Sequence, residues 1–149
     1  MSSLSYLSDV SGHNGAGKSS VIAMITGMTT ISGGDCTVYD QPLPAALSQI
    51  RTMTGICPQQ NVLFPSLTVK EHLRFFGCIK GLSGKKLKTD VMQMIHDVGL
   101  YAKKDTPASA LSGGMKRKLQ LAMALIGGSQ FLILDEPTSG TTATPQKLK

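Results

Sequence analysis

The run Gly12-His13-Asn14-Gly15-Ala16-Gly17-Lys18-Ser19 limits what this chain can be more than any other, because it fits the spacing G-x-x-x-x-G-K-[S/T]. Three glycines within six residues let the backbone take positive φ and turn successive N–H groups toward one anion. Lys18 adds a point charge suited to the β- and γ-phosphates of a nucleotide, and Ser19 a hydroxyl able to ligate Mg²⁺. From Ser20 onward Val21, Ile22, Met24 and Ile25 are apolar at helical spacing and Gly27 marks a stop, so a helix with a positive N-terminus faces the same anion. The residues from Gly12 to Ser20 therefore read as a site for ATP or GTP. The segment before them, Leu4 to Ser11, is half polar, whereas a buried parallel strand feeding such a loop is normally a near-continuous apolar run.

Near the other end, Phe131-Leu132-Ile133-Leu134 has the length and apolarity of a buried strand and delivers Asp135 and Glu136 at its carboxyl end. Side chains alternate along a strand, which separates the two carboxylates: Asp135 can hold the Mg²⁺ shared with Ser19, and Glu136 can polarise an attacking water. Just upstream, Ser112 caps a predicted helix with Met115, Leu119, Ala122, Met123 and Ile126 on one face, closed by Gly127-Gly128. Its first turn holds Gly113 and Gly114, which are poor helix formers but expose bare N–H groups at a positive helix end, a second phosphate-facing element.

Between these anchors the spacing predicts a short strand at Cys36-Thr37-Val38-Tyr39, a helix around Ala45 to Ile50 introduced by Pro42 and Pro44, and a strand from Met53 to Cys57. That strand exits into Pro58-Gln59-Gln60-Asn61. Ligands gather at the carboxyl ends of strands in α/β folds, so an amide there is placed for a metal or a water, or simply forms a surface turn. Thr68 and Glu71 form a capping box for a helix starting at Val69, whose end Gly77 and Gly81 bracket. A second helix, Lys85 to Val98, sets Leu87, Val91, Met94, Ile95 and Val98 on one stripe and stops at Gly99.

At 149 residues the chain is one domain at most, and no apolar run approaches the length of a membrane span. The net charge of +6 comes largely from Lys85-Lys86-Lys88, Lys103-Lys104 and Lys116-Arg117-Lys118. With few aromatic residues among them, these runs read as solvated helix faces, and no nucleic-acid partner is expected. Cys36, Cys57 and Cys78 lack a C-x-x-C pair and read as small buried thiols.

The glycine-rich run, the Gln59 loop, Leu111-Ser112-Gly113-Gly114 and Leu132-Ile133-Leu134-Asp135-Glu136-Pro137-Thr138-Ser139-Gly140, in that order, resemble the nucleotide-binding domain of ATP-binding-cassette (ABC) transporters. The wording Cys57-Pro58-Gln59-Gln60-Asn61-Val62-Leu63-Phe64, Glu71-His72-Leu73 and Ser112-Gly113-Gly114-Met115-Lys116-Arg117-Lys118-Leu119 is similar to subfamily A, whose members move lipids. The resemblance implies an α/β P-loop sheet, core 1–63 and 111–149, with a helical subdomain inserted at about 64–110. It also implies that MgATP is bound by Gly12 to Ser20, with Ser19, Gln59 and Asp135 around Mg²⁺ and Glu136 as base. Ser112, Gly113, Gly114 and Met115 would act in trans on the nucleotide of a second nucleotide-binding domain, while the helical insertion and the Gln59 loop would touch transmembrane domains on the cytoplasmic side.

The family also places an adenine-stacking aromatic residue well upstream of the P-loop, an Asp shortly after Ser-Gly, and a switch histidine. Tyr6 lies too near Gly12 to be the first, Thr141-Thr142-Ala143 stands where the second belongs, and His13, His72 and His96 do not replace the third. On this pattern the chain is expected to be a fragment of a larger transporter or a truncated product, cytosolic in isolation, with exposed sheet edges. The alternatives are a soluble ABC-type ATPase acting on ribosomes or DNA, and an ATP-binding fragment without activity.

Overall fold

The computed structural model describes residues 6–9, 17–38, 40–58 and 60–134. Three strands, β1 (Tyr6–Asp9), β4 (Thr54–Cys57) and β5 (Phe131–Leu134), form a parallel sheet in the order β1-β5-β4. Tyr6–Asp9, within the half-polar segment before the glycine-rich run, is thus a strand after all. It pairs with one described neighbour only, so it need not be as apolar as β5, whose Leu132 and Ile133 are buried between two partners.

After β1 come α1 (Lys18–Ile25) and an antiparallel hairpin of β2 (Cys36–Val38) and β3 (Gln41–Leu43). The sequence predicted β2 but placed Pro42 at the start of a helix. Pro42 instead faces Thr37 across a two-stranded ribbon, where a residue without an N–H is tolerated at an edge. Asp40 makes the turn at φ +58, a conformation that aspartate accepts more readily than most residues. The helix α2 accordingly starts later than predicted, at Leu47–Met53, and takes Met53 from the predicted strand. From α2, Arg51 donates to the carbonyls of Thr26 (2.9 Å) and Gly27 (3.3 Å), satisfying the last turn of α1.

The helical part contains α3 (Val69–Ile79), α4 (Gly84–Asp97) and the long α5 (Gly113–Leu125), linked through short 3₁₀ turns at Tyr101–Lys103 and Ala108–Ala110. The capping box closes as predicted: the Glu71 N–H donates to Thr68 Oγ1 at 3.2 Å, and the Thr68 N–H donates to Glu71 Oε2 at 2.8 Å. The Thr68 N–H, with the Thr68 hydroxyl donating to the same Oε2 at 2.8 Å, stabilises the ionised form and pulls the Glu71 carboxyl below its ordinary value. Gly99 ends α4 at φ +68, as expected of a glycine following a helix.

Val69, Leu73, Leu87, Val91, Ile95 and Leu100 pack with Leu119, Ala122 and Met123 of α5, and with Ile126 just past its end, in the main core. Another face of α5 presents Ala124, with Leu121 and Leu125 beside it, to Cys57 and Leu132 of the sheet. The helix is therefore a shared wall. Its approach to β4 is so close that a Cβ at Gly55 would lie 2.1 Å from the Ala124 carbonyl oxygen. Of the three cysteines predicted to be buried, Cys57 is buried, Cys36 is half-buried and Cys78 is exposed.

Candidate functional site

Because β1, β5 and β4 are parallel and in register, Asp9, Leu134 and Cys57 lie side by side at one carboxyl edge. Each is followed by a motif: Gly12 to Lys18 after β1, Asp135-Glu136 after β5, and Pro58-Gln59-Gln60 after β4. The topology thus brings to one sheet edge the exits toward three segments, the outermost two of which lie more than a hundred residues apart in the chain. Residues Gly12, His13, Asn14, Gly15 and Ala16, Gln59, Asp135 and Glu136, and the side chains of Lys18 and Ser19, lie outside the described residues.

What is described of the first segment suits an anion. Gly17 sits at φ +82 immediately before α1, with nothing within 4 Å of where a Cβ would be, and Ser20 is exposed. The helix opens with no side-chain cap and no acid in its first turn, so nothing within the helix itself offsets its N-terminal dipole. The predicted metal donors, a hydroxyl, an amide and a carboxylate, are the hard oxygen set that Mg²⁺ takes.

The Gln59 loop is held from two sides. Gln120 of α5, 3% exposed, donates through Nε2 to the carbonyls of Gln60 (2.7 Å) and Pro58 (3.2 Å). Arg117, one turn earlier, donates from Nη1 to the same Pro58 carbonyl at 2.6 Å and to Gln120 Oε1 at 3.1 Å. Further along, the Phe64 N–H donates to Nε2 of the fully buried His72 at 3.0 Å. That bond makes Nε2 the acceptor, so the proton sits on Nδ1, 2.9 Å from the Thr68 carbonyl. From sequence, Arg117 reads as part of a solvated basic run, Gln120 draws no reading, and His72 stands only in the subfamily wording and as no replacement for a switch histidine. The available signal was an amide at a position flanked by the apolar stripe of α5, three residues after an arginine.

Ser112 caps α5 as predicted, its Oγ accepting the Met115 N–H at 3.3 Å. Gly113 and Gly114 are exposed with open space around them, and no acid lies in the first turn. Met115 turns its side chain onto the helical core. At about 1.5 Å per residue, this end stands roughly 12 Å along the axis from Gln120.

On the helical side of that loop Val62, Phe64, Phe75 and Ile79 are exposed, with Phe64 and Phe75 in edge-to-face contact at 5.8 Å. At the C-terminal end of α3, Lys80 Nζ donates to the Ala124 carbonyl at 2.7 Å and to Ser129 Oγ, joining α3 to the end of α5. Burial of that ammonium lowers its pKa to about 8. No helix among the described residues is long and apolar enough to cross a membrane.

A parallel sheet whose first strand leads through a glycine-rich turn into a helix, with two further motif-bearing loops at the same edge, is the architecture of a P-loop nucleotide-binding α/β protein. Residues 7–139 match the family described as "ABC transporter". The rat phospholipid-transporting ATPase ABCA3 is 47% identical over 136 residues, which are 91% of this chain and 8% of that protein. Human ATP-binding cassette sub-family A member 2 is 43% identical over 129 residues, 87% of this chain and 5% of that protein. The structure of cbiO1 from Clostridium perfringens, described as part of the ABC transporter complex cbiONQ, matches with a TM-score of 0.76 at 28% identity, covering 87% of this chain and 53% of that one.

The chain belongs to the ABC transporter family, and the ABCA3, ABCA7 and ABCA2 proteins it resembles are members of subfamily A. It spans less than a tenth of the length of those relatives.

Proposed function

We propose that the chain binds MgATP at the carboxyl edge of its sheet and hydrolyses it within a two-domain sandwich, driving transport through transmembrane partners. The observation that carries this reading is the register Asp9–Leu134–Cys57, which puts the exits to the glycine-rich loop, the Asp-Glu pair and the Gln59 loop next to one another. Residues Gly12 to Ser20 hold the phosphates, Lys18 supplying the point charge and the N-terminus of α1 its dipole. Ser19, Gln59 and Asp135 are the residues that would hold Mg²⁺, which when bound offsets charge on the β- and γ-oxygens. Glu136 takes a proton from water as the water oxygen bonds the γ-phosphorus and the bond to the β–γ bridging oxygen breaks, releasing ADP. Such general-base assistance contributes roughly 10²–10⁴ in rate.

The Ser112–Gly114 end of α5 closes over the γ-phosphate held by a second nucleotide-binding domain. Its bare N–H groups and the open space around Gly113 and Gly114 support that role in trans. The exposed Val62, Phe64, Phe75 and Ile79 form the surface for the transmembrane domains, since an apolar patch beside the Gln59 loop can pass a push directly to it. The phospholipid-transporting relatives support a lipid as the transported molecule. The domain division is core 1–63 and 111–149 with the helical part at about 64–110.

Titration calorimetry with MgATP tests the reading. Lys18→Ala should abolish binding, whereas Lys86→Ala, on an exposed face of α4, should leave it unchanged. Equal affinity in wild type and Lys18→Ala would remove the nucleotide site from Gly12 to Ser20.

A further inference from the structure

We infer that Arg117 and Gln120 are positioning residues for Gln59: they hold the main chain on both sides of it, so the helix that presents Ser112–Gly114 outward also sets the Gln59 amide. The inference rests on the reading above, in which Gln59 faces Mg²⁺ bound with the chain's own nucleotide.

Both carbonyls flanking Gln59, those of Pro58 and Gln60, accept from a single side-chain nitrogen, Gln120 Nε2. One planar amide spanning two carbonyls fixes them relative to each other. The amide is itself oriented, because its oxygen accepts from Arg117 Nη1, and that same nitrogen donates to Pro58. Core packing gives no reason for an amide at position 120. Its helix neighbours Leu119, Ala122 and Met123 are apolar and buried, and an apolar side chain of the same size would pack equally well among them. What an apolar side chain cannot do is hold two carbonyls. The helix in turn cannot shift freely against β4, given the contact at Gly55. A rigid piece of α5 about two turns long therefore runs from the element turned toward a partner's nucleotide to the loop at the chain's own.

The test uses the full chain in four forms: wild type, Gln59→Ala, Gln120→Met and the double variant. ATP affinity is measured by calorimetry in Mg²⁺ and in EDTA, alongside thermal melting and hydrogen–deuterium exchange of the 58–61 segment without nucleotide. Gln120→Met keeps side-chain length and removes both donors. It should leave ATP affinity in EDTA unchanged, lower the Mg²⁺-dependent gain in affinity roughly tenfold, as loss of an outer-shell partner of a metal ligand does, and speed exchange in that segment. In the Gln59→Ala background the same change should cost nothing further, because the clamp acts through Gln59.

An unchanged Mg²⁺ gain in Gln120→Met, a loss equally present in EDTA, or the same tenfold loss in the Gln59→Ala background would each overturn the inference. Should Gln120→Met fail to fold, Arg117→Met is read by the same criteria. The control separates the two readings: if wild-type binding does not depend on Lys18, the nucleotide reading fails; if it does and the cycle is additive, only the clamp fails.

Discussion

Gly55→Ala would insert one methyl between β4 and α5. Its Cβ would fall 2.1 Å from the Ala124 carbonyl oxygen and 2.9 Å from the carbonyl carbon, both main-chain atoms of a helix that cannot rotate away as a side-chain tip could. The gap is short by about 1 Å of the closest approach that packed atoms make, so helix or strand has to move. Overpacking of this kind typically costs about 1–3 kcal/mol, and the main-chain obstacle at Ala124 puts this case at about 3 kcal/mol, the upper end of that range. With a urea m-value of about 1–3 kcal/mol/M, the unfolding midpoint should drop by about 1–3 M at unchanged m. Gly114→Ala, with open space around its Cβ, is the matched control and should stay within about 0.5 kcal/mol of wild type. A Gly55→Ala midpoint within about 0.2 M of wild type would mean that α5 does not rest on β4 as described.

Gly114→Ala should nonetheless reduce ATP-dependent association of the chain with a second nucleotide-binding domain, read by analytical ultracentrifugation with and without MgATP; undiminished association would take Ser112–Gly114 out of the trans site. His72→Phe keeps the bulk of a fully buried ring but leaves the Phe64 N–H without its acceptor, so a loss of roughly 1–3 kcal/mol in urea unfolding and faster exchange at Phe64 are expected. The Lys80 ammonium has a pKa of about 8 in the folded protein, against 10.5 as its ordinary value. Between those pH values the unfolded chain holds more protons, so stability should rise with pH; the penalty is full below about 8 and gone above 10.5. Subtracting the profile of Lys80→Met should isolate that rise, and parallel profiles from pH 8 to 10.5 would show that the lysine is not desolvated.

Elements written in local chemistry could be read directly from the sequence. Thr68 and Glu71 close a capping box across one turn, Gly99 ends α4, and Leu132 and Ile133 of β5 are buried, each as its spacing implied. The hairpin was missed because Pro42 signals helix entry and edge strand equally well when only its neighbours are considered. The β1 segment was undervalued because the tolerance of its polar residues depends on how many strands flank it, which is a property of the assembled sheet. The roles of Arg117 and Gln120 were not legible for a related reason. Their partners are main-chain carbonyls some sixty positions away, and a carbonyl has no residue identity to recognise.

The two attachments of the Gln59 loop have a mechanical consequence. Gln60 is fastened to α5 and Phe64 to His72 of α3, which leaves Asn61, Val62 and Leu63 as the whole length of chain between fixed points. Three residues reach at most about 10 Å when fully drawn out, so the segment has little slack. Any tilt of α3 against α5 beyond what those three residues can absorb has to pull on the backbone next to Gln59 or break a hydrogen bond at one end. A loop of this kind transmits displacement the way a short inextensible cord does, and lengthening it by two or three glycines would let the two helices tilt without tugging on that backbone.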